Sequence, residues 1–216
     1  RLNPNIDFGK TPFEINQTLR DWEKPIVEGS TIPRLAGLSS FGAGGSNAHI
    51  IIQEYETKNN DYSLDTTEFL VPLSARIESQ LTQKATDLLA FVQKNKETIN
   101  LTELAYTLQI GREAMDERVG FLVTSVEDLI EKLTAFVNGD TEHGDIYRGQ
   151  VQQNKETISL FNSDVDFQET INKWIEQKKY AKVFDLWAKG LQLDWSTFYG
   201  NEKIQRISLP TYPFAK

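Results

Sequence analysis

Three glycines in four positions, Gly42, Gly44 and Gly45, stand between two apolar, β-prone runs: Arg34-Leu35-Ala36-Gly37-Leu38 before them and Ile50-Ile51-Ile52 after. The stretch between reads Ser39-Ser40-Phe41-Gly42-Ala43-Gly44-Gly45-Ser46-Asn47-Ala48-His49. Without a Cβ, glycine reaches positive φ and lets backbone approach a ligand or a second chain closely. Asn47 is a further residue type that tolerates such turns. The loop could therefore cradle an acyl or phosphate group with its amides, or be a tight hairpin turn and nothing more. No Gly-Lys-Ser/Thr follows the glycines, which disfavours an ATPase-type phosphate loop. Covalent catalysis has little to work with. The chain has no cysteine, no Gly-x-Ser-x-Gly string and two histidines, His49 and His143. His49, beside the Ile50–Ile52 run, is expected to be a hydrogen-bonded structural histidine. His143, in Asp140-Thr141-Glu142-His143-Gly144-Asp145, is expected in a loop. No Ser-His-Asp constellation is evident, so no catalytic residue and no metal site is assigned.

The elements that must position this loop follow from pattern. Residues 34–56 read as a hairpin around the glycines, and the unbroken Ile50–Ile52 run predicts a strand buried on both faces. Residues 1–33, punctuated by Pro4, Pro12, Pro25 and Pro33, read as irregular, with Phe13–Asn16 a short strand at most. Trp22 is expected to cover a neighbouring surface. Residues 57–68 are polar and form the best linker, with a domain boundary near residue 60. A second region, 69–200, then alternates strand and helix. Phe69–Ala75 reads as a strand, with Ser74 as the cap of a helix over 76–94 striped by Leu81, Ala85, Leu88, Leu89 and Val92. Asn100 caps a helix over Leu101–Ile110, which Gly111 closes. Glu117–Val123 is a strand, and Ser125 caps a helix over Val126–Val137 ended by Asn138-Gly139. Asp145–Gly149 and Ile158–Phe161 each fit a short strand. Phe167, Ile171, Trp174 and Ile175 make one helical stripe, and Tyr180, Val183, Phe184 and Trp187 the next, stopped by Gly190. Their spacing predicts core packing rather than an aromatic ligand box. Pro210 and Pro213 force residues 201–216 into an extended strap offering Leu209, Tyr212 and Phe214 to an apolar surface. The fold class is α/β: a hairpin, then a short sheet with packed helices, then the strap.

Size and composition bound the function. A chain of 216 residues with 39% hydrophobic and 25% charged residues fits one or two globular domains. Net charge of −8 argues against non-specific nucleic-acid binding. No apolar run reaches the roughly 18 residues of a membrane span. The absence of cysteine fits a reducing cytosol, so a cytoplasmic location is expected. The start, Arg1-Leu2-Asn3-Pro4, reads as the middle of a longer chain.

Ser39–His49 resembles the last motif of ketosynthases of modular polyketide synthases. Asn3-Pro4-Asn5-Ile6-Asp7-Phe8, Pro12-Phe13 and Pro33–Gly37 resemble the segment preceding it. The resemblance implies a thiolase-like fold for residues 1–56. It also implies that Phe41, Gly42, Ala43, Gly44, Gly45 and Asn47 border the acyl pocket, beside a cysteine and two histidines that lie outside these residues. Phe69–Ala75 with its helix resembles the adaptor that follows such ketosynthases, Trp187–Trp195 the segment that closes it, and Arg206–Phe214 the strap that returns to the ketosynthase. Only about fifty residues separate Asn138-Gly139 from Trp187, too few for a catalytic domain. The arrangement thus resembles modules served by a free-standing acyltransferase. Implied partners are the remaining ketosynthase, homodimeric in the family, that acyltransferase, and an acyl carrier protein bearing phosphopantetheine; no cofactor is implied in this chain. The parent reaction would be decarboxylative condensation of acyl and malonyl thioesters. A stand-alone α/β enzyme or binding domain, using the loop for an acyl or phosphate ligand, is the alternative.

Overall fold

The computed structural model describes residues 2, 4–56, 62, 66–140 and 144–214. The chain divides into two compact units, 1–59 and 60–216. His143 and most of the expected linker lie outside the described residues.

In the first unit, β1 (Ile26–Val27) and β2 (Ser30–Thr31) pair antiparallel. Their turn residues Glu28 and Gly29 both have positive φ, 51° and 79°, the turn geometry that matches strand twist. This small hairpin interrupts the expected irregular region. Phe13–Asn16 is not a strand; it has no pairing partner among the described residues. Then β3 (Leu35–Phe41) and β4 (Asn47–Gln53) form the expected antiparallel hairpin, in register from Leu35↔Gln53 to Phe41↔Asn47.

In the second unit, β5 (Phe69–Ala75), β6 (Glu117–Val123) and β7 (Ile146–Gln150) form an antiparallel sheet with β6 central. Pro72 falls on an outer strand, where its missing N–H breaks no central ladder. Side-chain alternation splits the sheet into two faces. Val71, Leu73, Val119, Phe121 and Val123 meet α1 (Glu78–Lys94), α2 (Leu101–Ile110) and α3 (Val126–Val137) in one core, which holds Leu81, Leu88, Leu104, Leu129 and Leu133. On the other face Leu70 and Leu122 meet the aromatic residues Phe184 and Trp187 of α6 (Tyr180–Ala188), together with Trp195. Gly120 makes this approach possible, because a Cβ there would lie 2.7 Å from the Phe184 ring. α4 (Val151–Ser163) and α5 (Val165–Glu176) continue the unit, and Ile171 joins Val183 and Leu191 in a third cluster.

Caps agree with sequence at three helix ends. Asn100 Oδ1 accepts from the Thr102 and Glu103 amides, and Ser125 Oγ from the Asp128 amide. After α3, Gly139 at φ 80° lets the Asp140 amide donate back to the Ala135 carbonyl, a Schellman closure. Two expectations are corrected. Ser74 does not cap α1; Ile77 stands there, and Ser74 is buried at the end of β5, donating to the Glu113 carbonyl and accepting from the Met115 amide. Ile158–Phe161 is helical within α4, whose first turn is capped by Gln150 Oε1, and Ile158 is buried. Four apolar or small residues in a row carry no period that separates strand from helix.

Candidate functional site

The glycine loop is built from the last strand pair outward. Phe41 stands opposite Asn47, and Gly42 to Ser46 close the turn between them. The Gly42 amide donates to the Ser46 carbonyl at 2.9 Å, and the Gly45 amide to the Gly42 carbonyl at 3.0 Å. Two glycines are obligatory for this geometry. Gly45 has φ 89°, and a Cβ on Gly42 would lie 2.9 Å from the Ser46 oxygen. An added Cβ on Gly44 meets nothing within 4 Å, so nothing among the described residues requires glycine there. Phe41, Gly42, Ala43, Gly44, Gly45 and Asn47 therefore share one turn, and Phe41 is 76% exposed.

Register places Leu35, Phe41, Ile51, His49 and Asn47 on one face and Leu38, Ile50 and Ile52 on the other. The expectation that Ile50–Ile52 is buried on both faces is not met within the chain: their exposures are 52%, 74% and 52%. Leu35 and Leu38 are exposed too. The hairpin's apolar surface far exceeds what its own unit covers.

Two polar pairs cross this hairpin. Ser39 Oγ and His49 Nδ1 lie 2.8 Å apart, which makes His49 the hydrogen-bonded histidine expected. Its ring sits against Gly37, where a Cβ would be 3.3 Å from Cε1. At the open end Glu54 accepts from the Arg34 amide at 3.0 Å and from Arg34 Nη1 at 2.7 Å, with Lys24 Nζ 3.6 Å away. The Arg34 amide, helped by the two cations, holds the Glu54 carboxyl below its ordinary range. Arg34 Nε also donates to the carbonyl of Trp22, whose side chain is 57% exposed. The Arg34–Glu54 pair was not singled out from sequence; a charge at each end of two apolar runs is its only trace.

The strap is described within the second unit. Ile204 and Leu209 are buried, Leu209 in the same core as Leu73 and Leu108, with Ile207 and Tyr212 packed against that core. The core of this unit thus extends beyond Gly190 to include the strap. The Ile207 amide donates to Thr107 Oγ1 at 2.9 Å, and Tyr212 Oη accepts from the Arg76 amide at 3.1 Å and bonds Gln80 Oε1. Phe214 stays 80% exposed. Leu209 and Tyr212 are therefore brought together on the second unit, and the exposed Phe214 ring meets Tyr212 edge-on at 5.0 Å.

Beneath Tyr212 lies a buried cation that sequence reading missed. Lys84 donates to the Ser74 carbonyl at 3.1 Å, and its ammonium is 5.8 Å from the Tyr212 ring centre. Burial, reinforced by the charge of Arg112, lowers its pKa to about 8. The signal was present, since Lys84 sits three residues after Leu81 and four before Leu88 on the apolar stripe. Arg118 is likewise buried, bonding the carbonyls of Met115, Trp187 and Leu191 at 2.8, 2.8 and 3.3 Å, and burial lowers its pKa to about 10. It ties β6 to the end of α6.

Comparison with known proteins agrees with this architecture. Residues 72–140 match the family model described as RhiE-like, KS-MAT linker domain. The chain is 47% identical over 222 residues to polyketide synthase PksL of Bacillus subtilis (strain 168), and 45% identical over 218 residues to PksM of the same organism. All of this chain is matched in both cases, but only 5% of either synthase. The ketosynthase from module 6 of the bacillaene synthase of Bacillus subtilis 168 is similar in structure, with a TM-score of 0.70 at 42% identity, over 95% of this chain and 34% of that one. The chain carries a ketosynthase C-terminal segment followed by the linker domain of polyketide synthases. Among the described residues no helix is long and apolar enough to cross a membrane.

Proposed function

We propose that the hairpin is the outer edge of a ketosynthase body and that the second unit is a non-catalytic adaptor beside it. In this reading the parent enzyme condenses acyl and malonyl thioesters with loss of carbon dioxide, in the cytoplasm. Phe41, Gly42, Ala43, Gly44, Gly45 and Asn47 would border its acyl pocket. The remaining ketosynthase, a homodimer in the family, would supply the cysteine nucleophile that this chain lacks. A free-standing acyltransferase and a carrier protein bearing phosphopantetheine would dock on the adaptor. Leu209 and Tyr212 would fasten the strap to the adaptor, and the exposed Phe214 would remain available for contact with the ketosynthase.

One observation carries the reading: Leu35, Leu38, Phe41, Ile50, Ile51 and Ile52 are all more than half exposed in an otherwise well-paired hairpin. Contiguous apolar surface of this kind marks an interface. The alternative, a stand-alone acyl- or phosphate-binding domain, has no cationic side chain in the loop to recognise an anion. Intact-mass measurement after incubation with an acyl thioester tests the catalytic claim. The chain alone is expected to remain unmodified, while a ketosynthase containing these residues gains one acyl group on its cysteine. A stable, stoichiometric adduct on the isolated chain would contradict the proposal.

A further inference from the structure

The register of the glycine hairpin has an unusual problem. A strand with one buried face is fixed in register because a one-residue slip would turn its apolar set outward. Here the apolar residues lie on both faces, with Ile51 on one and Ile50 and Ile52 on the other. A slip by one residue still presents isoleucine to each side. Turn geometry normally supplies the missing constraint. Here the turn fixes the closed end through Gly42 and Gly45, while Gly44 is under no steric demand. The apolar pattern does not select the observed pairing along the strands.

Two polar contacts do. Ser39 and His49 are directly opposite, and their 2.8 Å bond forms only when β3 and β4 are in this register. The His49 ring packs against Gly37, where a Cβ would lie 3.3 Å from Cε1. Arg34 and Glu54 make the matching pair at the open end. His49 shares its face with Phe41 and Asn47, two residues from each pairing end of the loop.

We propose that His49 is a positioning residue: with Ser39, and with the Arg34–Glu54 pair at the far end, it sets the hairpin register that holds Phe41 opposite Asn47 and aims the glycine loop. The inference rests on the reading of the loop as a pocket border. His49 touches no reacting atom in it; it acts through Phe41 and Asn47.

The test uses the complete ketosynthase containing these residues. Ser39→Ala and His49→Phe each remove the bond, and each should slow condensation on the order of ten- to hundredfold, the cost of misplaced pocket groups. The double variant should lose no more than the worse single one, because both cut one interaction. His49→Asn, whose amide reaches the place of Nδ1, should recover most of the rate. Crystal structures of the same proteins read the register directly, without turnover, and the slowed variants should show Phe41 displaced from Asn47. Wild-type rate and register in both Ser39→Ala and His49→Phe would overturn the inference. So would a loss in His49→Phe that Ser39→Ala does not share and His49→Asn does not repair. If the wild-type protein does not condense, the pocket reading fails by itself, and the crystallographic register still decides the role of His49.

Discussion

Gly42, Gly44 and Gly45 are chemically identical but do different things. Gly45 is held at φ 89° and Gly42 faces the Ser46 oxygen at 2.9 Å, whereas Gly44 has neither constraint inside the chain. Gly45→Val should strain the loop by about 1–3 kcal/mol and impair condensation, measured as turnover in the complete ketosynthase. Gly44→Ala tests something else: full activity would mean that no second chain approaches the loop at that point. Lys84 gives a residue-scale prediction for the linker unit. Its pKa in the fold, about 8, is below the ordinary lysine value of 10.5, so between those pH values the unfolded chain binds more protons than the folded one. Stability contributed at this site therefore rises with pH across roughly 8 to 10.5. Lys84→Met, which keeps the stem and drops the charge, should flatten that rise; urea midpoints of both proteins at pH 7.5, 9 and 10 measure it.

At the scale of elements, the strap is a structural part of the linker unit. Leu209→Ala should destabilise that unit by about 2–5 kcal/mol, because it opens a cavity among Leu73, Leu108 and their neighbours. Tyr212→Phe should cost less, about 1 kcal/mol, through the lost bonds to Arg76 and Gln80. Phe214→Ala should shift the unfolding midpoint of the isolated chain less than either, since Phe214 is 80% exposed and meets Tyr212 only ring edge to ring. Most of this architecture was legible because its signals are local. The Asn100 and Ser125 caps and the run Phe69–Ala75 fix their elements by residue type and spacing alone. Where tertiary contacts decide, the sequence is mute. The role of Gly120 depends on Phe184, a residue sixty-four positions away, crossing the sheet at that point. Ser74 looks like a helix cap until the Glu113–Met115 turn claims its hydroxyl. Ile158–Phe161 is too short to show its period, and the Glu28–Gly29 turn needs a positive φ at a glutamate that no propensity favours. The site was half legible: the loop could be read from glycine chemistry, but not the clamps Ser39–His49 and Arg34–Glu54, which exist only once strands are paired.

At the scale of the whole chain, the two units differ in how they satisfy their apolar residues. The linker unit buries its own leucines and aromatic residues in three clusters and leaves Ile77 and Phe214 as its large exposed apolar side chains among the described residues. The first unit pairs its backbone but leaves the hairpin side chains bare, an association hazard for a chain by itself. Its stability should therefore depend on a partner, and the second unit's should not. Hydrogen exchange on the 216-residue chain, alone and then with the remaining ketosynthase body, measures this directly. Alone, slow exchange should map to residues 69–190 and to the buried strap around Ile207 and Leu209, with fast exchange across 35–53. Adding the body should protect 35–53 and leave the linker pattern unchanged. Equal protection of all these regions in the isolated monomer would mean that the hairpin needs no ketosynthase, and would contradict the account.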